Sequence, residues 1–357
     1  MEQPSQTDIA IIGGGLTGLT LHYFLREAGL STVIIEARDR VGGRIQTTTA
    51  QNQPPVEMGA TWLGKKHTHL VALLDELGLE TFPQQLGERA IYEPVSTSPH
   101  QLVTLPANEE PSYRIRGGKT ALIQALAAQV PADGLHFGQV VRKITGRPDG
   151  IEVVCAERTF TAKMVVSTLP PNLLLKTIAI EPALPPELLP IMAGTHTWMG
   201  ESIKFGLVYR SPFWRADRLS GTLVSNVGPI PEMYDHANFE DDRYALKGFL
   251  HGAYHSLDRE ERLAIILRQL RKYYGPAVDD FVDYHEKAWL HDPFTYAPYD
   301  QHVLPHQHNG HTDYHEPYLD GKLFIAGSET ARDFPGYMEG AVSSAQWVAA
   351  QIRRRVN

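Results

Sequence analysis

The sequence predicts an α/β protein organised on a parallel sheet, and three observations carry that prediction. A short apolar run from Asp8 to Ile12 breaks into Gly13-Gly14-Gly15 and gives way to helical periodicity from Leu16 to Ala28. A second apolar run, Thr32 to Glu36, follows Gly29. Together they make one βαβ unit, with parallel strands and a right-handed crossover. The same alternation returns at the far end, as a strand at Lys322 to Ala326, a glycine turn, and a helix from about Glu339 to Ile352.

Between these ends the elements follow in order. Gly118 to Val130 reads as a helix stopped by Pro131. Gln139 to Ile144 and Ile151 to Cys155 read as short strands of a meander, and Lys163 to Thr168 as a buried strand before Leu169-Pro170-Pro171. The proline-rich stretch Glu181 to Pro186 marks a crossing between domains. Ser202 to Tyr209 alternates as a strand. Asp258 to Tyr274 is a helix: Asp258 and Glu261 have the spacing of a capping box, and Leu263, Ile266, Leu267, Leu270 and Tyr274 form its apolar stripe. No internal repeat or low-complexity tract is present.

Composition narrows the class. At roughly 150 residues per domain, 357 residues suggest two domains. The balance of 33 basic and 41 acidic residues gives 33 − 41 = −8, which disfavours non-specific nucleic-acid binding and docking to anionic lipid. The single cysteine, Cys155, excludes an internal disulfide framework and a cysteine-based metal site. The first residues carry no basic patch, the apolar run after them is too short for a signal peptide, and no run reaches the ~18 residues that span a bilayer. A soluble, cytoplasmic, enzyme-sized protein is expected, with a homo-oligomer left open.

Gly13-x-Gly15-x-x-Gly18 sits between strand and helix. Its glycines allow a tight turn, close approach of backbone to a pyrophosphate, and close helix–strand packing. A pyrophosphate then lies at the helix N-terminus, where free N–H groups and the helix dipole favour negative charge. Glu36, 18 residues after Gly18, is placed to accept hydrogen bonds from a ribose diol and disfavours the 2′-phosphate of NADP. The segment Ala37-Arg38-Asp39-Arg40-Val41-Gly42-Gly43-Arg44 adds two glycines and three arginines. That suits a longer cofactor, FAD, with Arg44 facing phosphate or flavin oxygens.

At this point the chain resembles the flavin amine oxidase family, which includes monoamine, polyamine and L-amino-acid oxidases. The resemblance rests on Gly13 to Arg44, Glu57-Met58-Gly59-Ala60-Thr61-Trp62, Ser202-Ile203-Lys204 leading to Pro212-Phe213-Trp214, Phe324 to Thr330, and Gly336-Tyr337-Met338-Glu339-Gly340-Ala341. Tyr113 to Gly118 adds a weaker match. The resemblance implies a Rossmann-type FAD-binding domain with an inserted α+β substrate domain. Residues 1–75, 113–182 and 320–357 would form the first, and residues 76–112 and 183–319 the second. Only about 35 residues, 76–112, stand on the substrate side before Tyr113, where the family carries a longer helical section, so a reduced lid and a more open site are expected. Cofactor contacts are implied for Gly13, Gly15, Leu16, Thr17, Gly18, Glu36, Ala37, Arg38, Gly43 and Arg44. Further contacts are implied for Gly59, Ala60, Thr61, Trp62, Val141, Gly327, Ser328, Glu329, Gly336, Tyr337, Met338 and Ala341.

The activity implied is removal of a hydride equivalent from the carbon bearing an amine nitrogen to flavin N5. The products are an imine and then an aldehyde, with oxygen reduced to hydrogen peroxide. The resemblance assigns Lys204 a place near flavin N5, where a fixed positive charge assists reoxidation. It assigns Tyr337 and, counted on from Trp289, Tyr299 as the two rings flanking the amine. Pro298 stands where covalently flavinylated relatives have cysteine, so noncovalent FAD is expected. The histidines His302, His306, His308, His311 and His315 are spaced two to four apart with no regular helix or nearby cysteine. They read as a solvated loop rather than a metal site. A desaturase or dehydrogenase of the phytoene desaturase or protoporphyrinogen oxidase type is the alternative; Lys204 and the Tyr337 motif favour the amine.

Overall fold

From Ile9 to Ile12, strand Ser5–Ile12 is buried on both faces, which is why that stretch is apolar throughout rather than alternating. Ile9 and Ile11 face a layer formed by helices Leu16–Leu25, Thr68–Glu76, Thr120–Ala127 and Met338–Val356. Ala10 and Ile12 face the opposite core, with Val153, Phe160 and Leu174. The computed structural model describes residues 5–106 and 109–356.

This strand is internal to an eight-stranded sheet ordered 179–181, 141–147, 150–155, 159–167, 5–12, 32–35 and 135–136, with 323–325 pairing with 159–167. Pairings of 5–12 with 159–167 and 32–35, and of 159–167 with 323–325, are parallel. The predicted meander is present as antiparallel pairs of 141–147, 150–155 and 159–167. Strand Thr159–Ser167 starts before the expected Lys163 because its first half pairs with 150–155. The first helix ends at Leu25, earlier than expected, and a 3₁₀ turn carries the chain to Gly29 at φ 67°. Leu184, Leu188 and Met192 pack in the large-sheet core, so the stretch after residue 182 still belongs to it.

A second sheet of seven strands has the order 283–288, 203–209, 244–250, 232–235, 219–225, 89–93 and 101–104. The last two strands come from the segment expected to be a reduced lid. Helix Arg259–Tyr274 covers one face, and its capping box is formed, with Glu261 N donating to Asp258 and Asp258 N to Glu261, both at 2.9 Å. Period-two alternation divides strand Ile203–Tyr209 between two environments. Phe205, Leu207 and Tyr209 pack in the core beneath that helix. Lys204, Gly206 and Val208 point the other way; Val208 packs with Val56 and Met58 of the segment that follows the dinucleotide-type motif. No helix among the described residues is long and apolar enough to cross a membrane.

Candidate active site

A cavity of about 1050 Å³ is lined from both sheets, at the upper end of small-molecule sites. At one end the chain leaves Ile12, turns through Gly13 and Gly14, and enters its first helix at Gly15. No side chain caps that helix, and Gly13, Gly15, Leu16 and Thr17 line the cavity, so its first N–H groups suit an anionic ligand. Gly18 plays a different part. A Cβ there would lie 2.0 Å from Gly13 O, so the third glycine permits helix and turn to touch rather than lining the cavity.

Glu36 is 2% exposed and lines the same end. Its Oε2 accepts from Gly14 N at 2.7 Å and its Oε1 from Arg38 N at 2.9 Å, which fixes the carboxylate at the end of strand Thr32–Ile35. Arg38 donates to Asp292 at 2.5 Å and Thr295 at 2.8 Å, tying this end to the second sheet's following loop. An adenosine diphosphate moiety fits these groups: hydroxyls to a buried carboxylate, diphosphate to a helix N-terminus.

Midway, Arg44 forms a two-pronged pair with Glu329 at 2.5 and 2.7 Å and donates to Ser328 Oγ at 2.9 Å. Burial works against the charge on Arg44, but the adjacent Glu329 carboxylate outweighs it and holds the guanidinium above its ordinary value. Glu329 is likewise held low, burial being overcome by Arg44. Gly43, Arg44 and Ser328 line the cavity, whereas Glu329, Gly327, Ala37 and Val141 stand behind its surface.

The other end is walled by Gly59, Ala60, Thr61 and Trp62, with Gly336, Tyr337, Met338 and Ala341. Lys204 is 5% exposed, and its Nζ donates to Gly59 O. Burial pushes its value down to about 8. It is thus no surface lysine of an ordinary strand. Phe249, Glu232 and Trp289 complete this wall; Glu232 accepts a 3.1 Å hydrogen bond from the Tyr234 hydroxyl.

The structure separates Tyr299 from Tyr337. The Tyr299 hydroxyl accepts from Thr197 N at 2.7 Å and donates to Thr195 O at 3.2 Å, and Tyr299 does not line the cavity. The rings beside Tyr337 are Trp198, His306 and His67, with centroids 5.9, 6.1 and 6.4 Å away, and His306 stacks on Trp198 at 4.1 Å. Gly336, at φ 86°, makes room for Trp198, since a Cβ there would lie 2.6 Å from Trp198 Cβ. Tyr299 therefore braces the backbone that delivers Trp198. The histidine loop is not uniformly solvated: His306 packs as described, and His315 Nε2 lies 3.0 Å from Thr330 O. Among the described residues no group of three or more His, Cys, Asp or Glu is placed to hold a metal ion.

Sequence reasoning missed Trp198, Glu232, Phe249 and Lys247, whose buried amine lies 3.0 Å from Thr61 Oγ1. For Lys247 a signal existed: a lone charge inside the apolar run Tyr244 to Leu250.

Comparisons with known proteins bear on this geometry. A family model described as flavin containing amine oxidoreductase matches residues 16–101 and 98–353. Putrescine oxidase of Kocuria rosea is 26% identical over 98% of this chain and 96% of its own length. The probable flavin-containing monoamine oxidase A of Dictyostelium discoideum is 23% identical, over 98% of each protein. That alignment runs over 457 positions against 357 residues here, so at least 100 positions have no counterpart in this chain. A solved wild-type putrescine oxidase bound to putrescine matches with a TM-score of 0.86 at 26% identity, covering 99% of this chain and 100% of that one. Cyclohexylamine oxidase from Brevibacterium oxydans gives a TM-score of 0.85 at 21% identity over 99% and 100%, a likeness of fold.

Proposed function

The chain belongs to the flavin-containing amine oxidoreductases, and from that premise we propose that it oxidises an amine at the carbon bearing nitrogen, with noncovalent FAD and with oxygen as electron acceptor. The observation that carries this reading is one cavity with a dinucleotide cradle at Gly13, Gly15 and Glu36 and a buried lysine beside aromatic rings at its other end. FAD, when bound, supplies the two-electron acceptor for the hydrogen leaving the amine carbon and returns the electrons to oxygen as hydrogen peroxide.

The chain's own residues do the rest. The N-terminus of helix Leu16–Leu25 receives the diphosphate and Glu36 the ribose, while Gly59 to Trp62 and Gly336 to Met338 bound the ring end. Cys155 lies in strand Gly150–Cys155 and does not line the cavity, which supports noncovalent attachment. Desolvation in the cavity lined by Trp62, Trp198, Phe249 and Tyr337 disfavours the charged amine and so favours its neutral form. Lys204, at about 8, carries its proton at neutral pH and holds a positive charge where negative charge develops on oxygen. The imine product takes up water to give an aldehyde and an amine or ammonia.

Glu232 puts a carboxylate on this otherwise aromatic wall. It supports an amine bearing a second cationic group, as does the similarity to putrescine oxidase. The buried Lys204 and the amine-oxidising relatives favour this reading over a desaturase. The test is peroxide release by the flavin-loaded protein across monoamines, diamines, polyamines and amino acids. Peroxide from one class, lost in Lys204→Met, supports it. Flavin that no amine bleaches without oxygen removes it.

A further inference from the structure

A second buried lysine stands beside the first. On adjacent antiparallel strands Lys204 pairs with Phe249, and Lys247 lies two residues before Phe249 on the same face, opposite Gly206. The two lysines are therefore diagonal neighbours. Strand Glu232–Asp235 adds Tyr234 opposite Lys247. Lys247 is fully buried, its Nζ 4.4 Å from the ring centroid of Trp62 and 4.3 Å from that of Phe249. Burying a lysine in such a place costs stability unless something is gained from its amine.

The amine's contact identifies the gain. Lys247 Nζ donates to Thr61 Oγ1 at 3.0 Å, Thr61 Oγ1 donates to Gly59 O at 3.3 Å, and Gly59 O also accepts from Lys204 Nζ. One unbroken chain of hydrogen bonds thus joins both lysines through the segment Gly59–Trp62, which forms the cavity wall. Met or Leu would fill the space between Trp62 and Phe249 as well as a lysine stem does, but could not reach the Thr61 hydroxyl in this way.

We propose that Lys247 is a positioning residue of the oxidation site, which acts through the Thr61 hydroxyl to hold the Gly59–Trp62 wall and, with it, the carbonyl that orients Lys204. Resting on the amine-oxidase reading, the proposal adds a residue outside the cavity surface to the reacting machinery. Lys247 touches neither substrate nor flavin; it sets where Lys204 stands.

The test uses flavin-loaded Lys247→Met, Thr61→Val, Thr61→Ser and the double variant Lys247→Met/Thr61→Val. Turnover per bound flavin is expected to fall about tenfold in Lys247→Met and in Thr61→Val, with KM for the amine within twofold of wild type. The double variant is expected to fall no further, and Thr61→Ser, which keeps the hydroxyl, to lose severalfold less turnover than Thr61→Val. The visible absorption of the bound flavin, taken without substrate, should shift in the same direction in both single variants. A merely structural lysine would instead change folding or flavin content and leave turnover per flavin alone. Wild-type turnover and spectrum in Lys247→Met overturn the proposal, as do multiplying losses in the double variant. If Lys247→Met does not fold, Thr61→Val against Thr61→Ser decides: equal turnover in the two overturns it. If no amine reduces the wild-type flavin, the amine reading fails, and the spectral comparison alone decides the role of Lys247.

Discussion

Replacing Lys204 by methionine should stabilise the fold near neutral pH while removing activity. The magnitude follows from its burial. Its value falls from 10.5 to about 8, which at about 1.4 kcal/mol per pH unit is a penalty of about 3 kcal/mol for keeping the charge buried. A lysine that is less basic folded than unfolded carries this penalty in full below about pH 8. The penalty shrinks as the folded lysine gives up its proton, and it vanishes above pH 10.5, where the unfolded chain is neutral too. Methionine forfeits the hydrogen bond to Gly59 O, worth about 1 kcal/mol. The variant should therefore be about 2 kcal/mol more stable at pH 7, with the difference falling to zero and reversing toward pH 10. Urea denaturation of both apoproteins at pH 7 and pH 10 measures it, since flavin affinity then does not enter. A variant less stable than wild type at pH 7, or a difference indifferent to pH, would refute the reasoning.

Three other outcomes are expected. Gly18→Ala forces a Cβ to within 2.0 Å of Gly13 O, so the purified protein should lose its yellow colour, read as flavin absorbance per chain. Glu329→Gln leaves Arg44, half-buried at the cavity wall, without its counter-charge, which should cost about 1–3 kcal/mol in denaturant titration, whereas most surface substitutions cost less. Tyr299→Phe removes the hydroxyl that bonds Thr195 and Thr197; it should lower stability by about 1–2 kcal/mol and loosen Trp198, seen as a change in tryptophan fluorescence.

Features set by local spacing were legible in the sequence. Gly13, Gly15, Gly18 and Glu36 lie within one βαβ unit, whose geometry leaves little choice once strand and helix are recognised. The Asp258 cap is equally local. Lys204 could be singled out by resemblance, but its burial could not, because alternation assigns faces without saying what covers each. Here Val56, Met58 and the Gly59 segment cover one face and helix Arg259–Tyr274 the other. Lys247, Glu232 and Phe249 reach the wall only through strand register, and register across an antiparallel sheet depends on partners distant in sequence. Tyr299 shows the converse limit. Counting along the chain brought it into line with Tyr337, yet its hydroxyl is drawn to Thr195 and Thr197, and Trp198 takes the place at the cavity wall. The segment 76–112 contributes strand 89–93 and the edge strand 101–104 to the second sheet, a role its short runs did not declare.

The pairing of Arg44 with Glu329 spans 285 residues, strand Leu323–Ile325 completes its pairing with 159–167, and helix Met338–Val356 packs on the helix that opens the dinucleotide motif. On a ribosome, where residues emerge in order, the cofactor cradle is thus completed long after its glycine signature has been made. The nascent βαβ unit must wait, its apolar helix face uncovered, for helix Met338–Val356. Closure over such separations carries a large entropic cost before any contact repays it. The pair that steadies the middle of the cofactor cavity can form only after synthesis has delivered Glu329, 285 residues after Arg44.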